Sequence, residues 1–199
     1  MELILDGEIY TEGIGENNIA DKLKDYYDKT NQEGKLVKKV YLNGENKQEL
    51  INDPSKIFEI AGEDGVKKVE VVTMTQEELV NETLDSVINY IDKLIDYNKE
   101  LARSINEGSN PDYESLLQLT DSLEWVSQAS NGLVITLKDA NLKEKVDELH
   151  EGFGEVINAL KKEDYPALGE ILDGQIAEGL NDLKDYIEKV NKERKNTKQ

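Results

Sequence analysis

The sequence predicts an α+β protein: a small β-grasp-like α/β head followed by a C-terminal antiparallel four-helix bundle. Three observations predict it. Short apolar runs in the first third of the chain are broken by Asp6-Gly7 and Asn43-Gly44, and such pairs supply the positive φ angles of tight hairpin turns. From Thr75 onward apolar residues recur at alternating steps of four and three, the spacing of a helix face packed on other helices. The breaks between the helical stretches are short, which favours antiparallel neighbours. The expected divisions are a head over residues 1–74, a bundle over 75–194 and a disordered tail over 195–199.

The head reads as strand, strand, helix, strand, strand. "LILDGEIY" is a hairpin around Asp6-Gly7. "NNIADKLKDYYDKT" then sets Ile19, Leu23 and Tyr26 or Tyr27 at helical spacing, and Gly34 supplies a stop. "KLVKKVYLNGENKQ" is a strand entering a turn at Asn43-Gly44, and "VKKVEVVTMT" is the last strand, with a short helix expected between Gln48 and Ile60. Gly13, Gly15 and Asn18 sit where a dinucleotide fingerprint would, after a strand and before a helix. The third glycine is missing, and Glu12 and Glu16 would oppose a pyrophosphate, so the stretch reads as a connecting loop.

The bundle opens at Thr75-Gln-Glu-Glu78, a capping box in which hydroxyl and carboxylate satisfy each other's backbone amides. Val80, Leu84, Val87, Ile91, Leu94, Asn98, Leu101 and Ile105 follow as the seam, widened by Ile88 and Ile95. Asn98 is its one polar member and reads as a device for helix register, so that Asn98→Leu would raise stability. Asn110 and Pro111 are expected to cap and begin the second helix. Leu116, Leu119, Leu123, Val126, Ser130, Leu133 and Leu137 carry its pattern through Gly132 to about Lys138, since one interior glycine costs only about 1 kcal/mol. The third helix turns Leu142, Val146, Leu149, Phe153, Val156 and Leu160 inward. The fourth opens at Asp164 with Pro166 in its first turn and buries Leu172, Ile176, Leu180, Leu183, Ile187 and Val190. Gly152, Gly154, Gly169, Gly174 and Gly179 each weaken a helix, so close approach, a kink or a groove is expected around them.

Charge and composition exclude several chemistries. The net charge of −19 repels phosphate backbones and anionic lipid, so neither nucleic acid nor a membrane surface is an expected partner. Most of the excess lies after residue 75, where it would attract a basic partner. There is no cysteine, hence no disulfide or thiolate chemistry. No basic leader or long apolar span is present, and a cytoplasmic protein is expected. One histidine, His150, cannot furnish a di-iron or catalytic zinc site. It flanks the third helix's seam, with Asp147 one turn earlier as a salt-bridge partner. No Gly-x-Ser-x-Gly elbow and no calcium-loop spacing occurs. The expectation is therefore a protein that is not an enzyme and has no metal, cofactor or catalytic residue.

Trp125, Leu117 and Ile135 carry what functional signal there is. They fall off the second helix's seam, and must pack on the head, meet another protomer or partner, or face solvent. The expected function is a non-catalytic acidic protein-protein interaction module, an adaptor or dimeric scaffold, engaging a protein partner or itself. In charge and helicity, residues 75–194 look like bacterial secretion or flagellar export chaperones, and that likeness of kind implies a helical client as the alternative partner. A small-molecule enzyme using exposed carboxylates is the alternative from a different class.

Overall fold

The computed structural model describes residues 2–10, 19–51, 56–57, 60 and 65–196, with side chains of the first helix described from Asp21 onward. The Gly13, Gly15 and Asn18 loop lies outside the described residues, as does most of the stretch between Ile51 and Gly65. The fold is α+β, and the chain divides into two compact units, Met1–Leu79 and Val80–Gln199.

The first unit holds strands β1 (Glu2–Leu5), β2 (Glu8–Ile9), β3 (Lys35–Leu42), β4 (Glu45–Asn46) and β5 (Lys68–Thr75), with helix α1 (Ile19–Gln32) between β2 and β3. Strand order is β2-β1-β5-β3-β4. Asp6 and Gly7 have φ of 48° and 83°, and Asn43 and Gly44 have 50° and 87°, so both pairs form the positive-φ turns their chemistry favours. The two ends of the unit meet at the centre of the sheet: β1 runs parallel to β5, with Leu3 opposite Val69, while β3 flanks β5 antiparallel. This is the β-grasp-like arrangement. Leu23 and Tyr27 of α1 join Leu3, Leu5, Val40, Leu42, Val69 and Val71 in one core. Between Gln48 and Ile51 the expected helix is a single 3-10 turn, Gln48–Leu50.

Asp6 ties that unit together. Its carboxylate accepts from the Thr73 amide at 2.6 Å, the Thr73 hydroxyl at 2.6 Å and the Tyr26 hydroxyl at 2.7 Å, joining the first turn to β5 and α1. Burial alone would push the Asp6 carboxyl up, but the Thr73 and Tyr26 donors outweigh it and hold it below its ordinary value. Burial and the bond to Asp6 push the Tyr26 hydroxyl up to about 12.

Helix α2 (Gln76–Asn106) begins at the expected capping box: Glu78 N–H donates to Thr75 Oγ1 at 3.1 Å, and Thr75 N–H donates to Glu78 Oε2 at 2.7 Å. The other helices are α3 (Tyr113–Leu137), α4 (Ala140–Lys161), α5 (Tyr165–Ile171) and α6 (Ala177–Asn196), with a π turn at Leu172–Ile176 joining α5 to α6 as one rod. Paired contacts fix antiparallel neighbours. Tyr97 and Tyr90 of α2 bond to Ser115 and Ser122 of α3, Asp92 and Asp85 of α2 pair with Lys184 and Lys195 of α6, and Lys145 of α4 pairs with Asp182 of α6. All eight predicted seam positions of α2 are buried, the seven apolar ones in a single core.

Four local expectations are corrected. Helix α3 is capped by Asp112, whose carboxylate accepts from Ser115 N–H at 2.8 Å, so Asn110 and Pro111 precede the cap. In α4 Leu142, Val146, Leu149 and Val156 are buried as expected, but Phe153 and Leu160 are only partly buried and Gly152 and Ala159 are buried beside them. Near the end of α6, Asn191 is buried rather than Val190. The expected tail begins too early: α6 continues through Asn196, where Asn191 and Lys195 both bond to Asp85. Helix α3 does run through Gly132, and ends at Lys138 in a left-handed conformation with φ of 54°.

Candidate protein-interaction surface

Helix α3 carries large apolar residues outside its core side as well as on it. Leu119, Leu123, Val126 and Leu133 face the core, as the four-and-three spacing requires. Leu117, Trp125 and Ile135 fall off that spacing and remain 44%, 40% and 76% exposed. Tyr113, one turn before Leu117, is 77% exposed and extends the same outer stripe. Sequence reasoning passed over Tyr113, although its i, i+4 relation to Leu117 was readable.

Leu117 and Ile135 are eighteen positions and five turns apart, so they share one side of α3 at a separation of about 27 Å. Trp125 lies between them, rotated toward α2. Its ring packs against Tyr90 of α2 with centroids 4.4 Å apart and planes tilted by 42°. Tyr90 in turn donates its hydroxyl to Ser122 Oγ at 3.0 Å, so the ring behind Trp125 is anchored at its far end. The three predicted residues thus form an extended stripe rather than one patch, with Trp125 as its braced centre.

The charges on α3 are of one sign. In its 25 residues there are three carboxylates, Glu114, Asp121 and Glu124, and no lysine or arginine. Elsewhere in the bundle, acidic side chains meet cations at Arg103–Glu107, Lys145–Asp182, Lys184–Asp92 and Lys195–Asp85. Among the described residues no ion pair involves Glu114, Asp121 or Glu124.

Other residues singled out in the sequence fall elsewhere. His150 is exposed on α4, and Asp147 pairs with Lys143 rather than with it. Among the described residues no group of three or more His, Asp or Glu side chains could hold a metal ion, and no helix is long and apolar enough to cross a membrane. Three glycines mark close helix approaches. A Cβ on Gly152 would lie 3.1 Å from Ile176 Cδ1, one on Gly169 would clash with Asn106 Oδ1 and lie 3.0 Å from Ile105 Cγ2, and one on Gly179 would lie 3.4 Å from Leu149 Cδ1. Gly174 sits inside the π turn. In the head, a cleft of about 420 Å3 borders Asp6, Tyr10, Tyr26 and Lys35. Its polar groups are largely bonded to one another, Tyr26 to Asp6, Tyr10 to Glu8 and Lys35 to Glu33.

A family model described as "Domain of unknown function (DUF8042)" matches residues 82–186, just over half of the chain. The chain belongs to this family. The DUF8042 match runs from the second turn of α2 to the middle of α6, and so contains Tyr90, Asn98, all of α3 and the π turn. No curated protein and no solved structure matches the chain.

Proposed function

We propose that this DUF8042 protein is a non-catalytic protein-binding module whose contact surface is the outer side of α3. The observation that carries the reading is the set of large apolar residues on α3 outside its core side. A four-helix bundle needs one apolar side from each member, yet Leu117, Trp125 and Ile135 stand outside the core. Tryptophan and tyrosine dominate the energetics of protein interfaces because they bury large area at low conformational cost. Trp125 braced on Tyr90 has that character: the pair is fixed before any partner arrives, so little ordering entropy is lost on contact.

The experiment is site-specific photocrosslinking in the source cells. A benzophenone side chain is placed at Leu117 or Ile135, with Glu155 on the exposed side of α4 as the control. Discrete protein adducts from the α3 positions, absent from the control, are expected. Adducts equally abundant at Glu155, or none from α3, would overturn the reading.

A further inference from the structure

We infer that the α3 surface receives a basic amphipathic helix of another protein rather than a second copy of this chain. This rests on the contact-surface reading above and adds the chemistry of the occupant. The argument begins with charge. Glu114 and Asp121 lie three and four positions from Leu117, and Asp121 lies four positions from Trp125, so each pair shares a face, while Glu124 adjoins Trp125 in sequence. None of the three forms an ion pair among the described residues, and their helix has no cation of its own. A surface on which apolar side chains are interspersed with unpaired carboxylates complements apolar side chains interspersed with lysine or arginine. Trp125 adds a further attraction, since its outer ring surface can accept an arginine or lysine over its face.

A second copy offers the opposite match. Two α3 surfaces laid together would oppose three carboxylates with three, on chains that each carry −19, and like charges across an interface are disfavoured. The shape of the surface selects a helix over an extended peptide. The backbone groups of α3 are used within the helix, so it presents no edge to which a strand could bond, and an extended occupant would leave its own amides unpaired. A helix satisfies its backbone internally. Covering the roughly 27 Å from Leu117 to Ile135 takes about eighteen helical residues.

The test uses two synthetic 21-residue amphipathic helices with the same leucine stripe, one with arginine on its polar side and one with glutamate. Each is titrated into the full-length protein. Trp125 is the sole tryptophan, so its emission reports the surface directly. The arginine peptide is expected to shift that emission to the blue, saturably, while the glutamate peptide does not. Asp121→Lys with Glu124→Lys should weaken the arginine peptide on the order of ten-fold, whereas Glu151→Lys with Glu155→Lys, an equal charge change on exposed positions of α4, should weaken it less than about three-fold at physiological salt. Equal binding of both peptides, equal loss in the α4 variant, or no binding of the arginine peptide would overturn the basic-helix occupant. So would a dimer in sedimentation that already buries Trp125. Continued crosslinking at Leu117 in any of these cases would leave the contact-surface reading standing.

Discussion

The side-chain amide of Asn98 donates a 2.7 Å hydrogen bond to the backbone carbonyl of Leu172, the first residue of the π turn, and both residues are buried. A π turn widens the helix by one residue and disturbs its regular ladder of backbone bonds. The α2 seam therefore places its single polar side chain where the neighbouring rod is irregular. Asn98 has a specific partner, which the register reading alone does not supply. Its Oδ1 atom is buried with no hydrogen-bond partner among the described residues.

Asn98→Asp removes the donor and sets a buried carboxylate against the Leu172 carbonyl. The loss should be about 3 kcal/mol or more near neutral pH. Burial raises the folded-state pKa of such an acid above its unfolded value, so the penalty is full above that raised value and shrinks as pH falls and the acid is protonated. Urea unfolding at about pH 7 and about pH 5 checks the sign. Asn98→Leu should lose about 1 kcal/mol, because leaving the buried Leu172 carbonyl without its Asn98 donor costs more than the added apolar burial returns. A more stable leucine variant would return Asn98 to a pure register role.

Two glycines of α4, two positions apart, should respond differently to alanine. A Cβ on Gly154 meets nothing within 4 Å, so Gly154→Ala should gain about 0.5–1 kcal/mol from helix propensity. A Cβ on Gly152 would lie 3.1–3.3 Å from side-chain atoms of Ile176 and Gln175, which would have to give by a few tenths of an ångström to admit a methyl group. Gly152→Ala should show no gain, or a loss of about 1 kcal/mol. Paired thermal melts of the two variants decide it.

Ser130 is fully buried on α3, and its Oγ has no hydrogen-bond partner among the described residues. Ser130→Ala removes a desolvated hydroxyl and improves helix propensity, so stability should rise by about 1 kcal/mol. A loss on denaturant unfolding would reveal a bond made by that hydroxyl.

The Asp6 carboxyl, held below its ordinary value by Thr73 and Tyr26, makes the head sensitive to acid. A depressed folded-state pKa gives stability that is present above the unfolded value of about 4 and is lost as pH falls through the folded one. Thr73→Val removes the hydroxyl donor. Carboxyl NMR should find the Asp6 titration moved upward in that variant, with acid unfolding of the head beginning at higher pH. An unmoved titration would mean that the backbone amide of Thr73 and the Tyr26 hydroxyl suffice.

Features set by neighbouring residues were legible in the sequence. Asp6-Gly7 and Asn43-Gly44 turn because those residues tolerate positive φ, and Thr75 caps because Glu78 lies one turn away. The off-seam positions of Leu117, Trp125 and Ile135 were likewise a matter of counting. Tyr90 as the support of Trp125 was not, since it lies thirty-five positions away on another helix. Nor was the π turn, whose contacts with Asn98 and Gly152 arise only on packing. In α4 a strict seven-residue rhythm pointed to Phe153 and Leu160. Both are only partly buried, while Gly152 and Ala159 beside them are buried because residues that small let the neighbouring rod come close, which sequence spacing does not reveal.

The parallel pairing of β1 with β5 bears on how the chain is made. Leu3 meets Val69 across about 66 residues, and a loop of that length must be closed before the contact returns any energy. At about 5–20 residues per second of synthesis, the first strand waits roughly 3 to 13 s for its central neighbour. During that interval Leu3 and Leu5 have only a two-residue hairpin partner and α1 for cover. The head therefore closes only once β5 has been made, and until then β1 is open to chaperones and to aggregation.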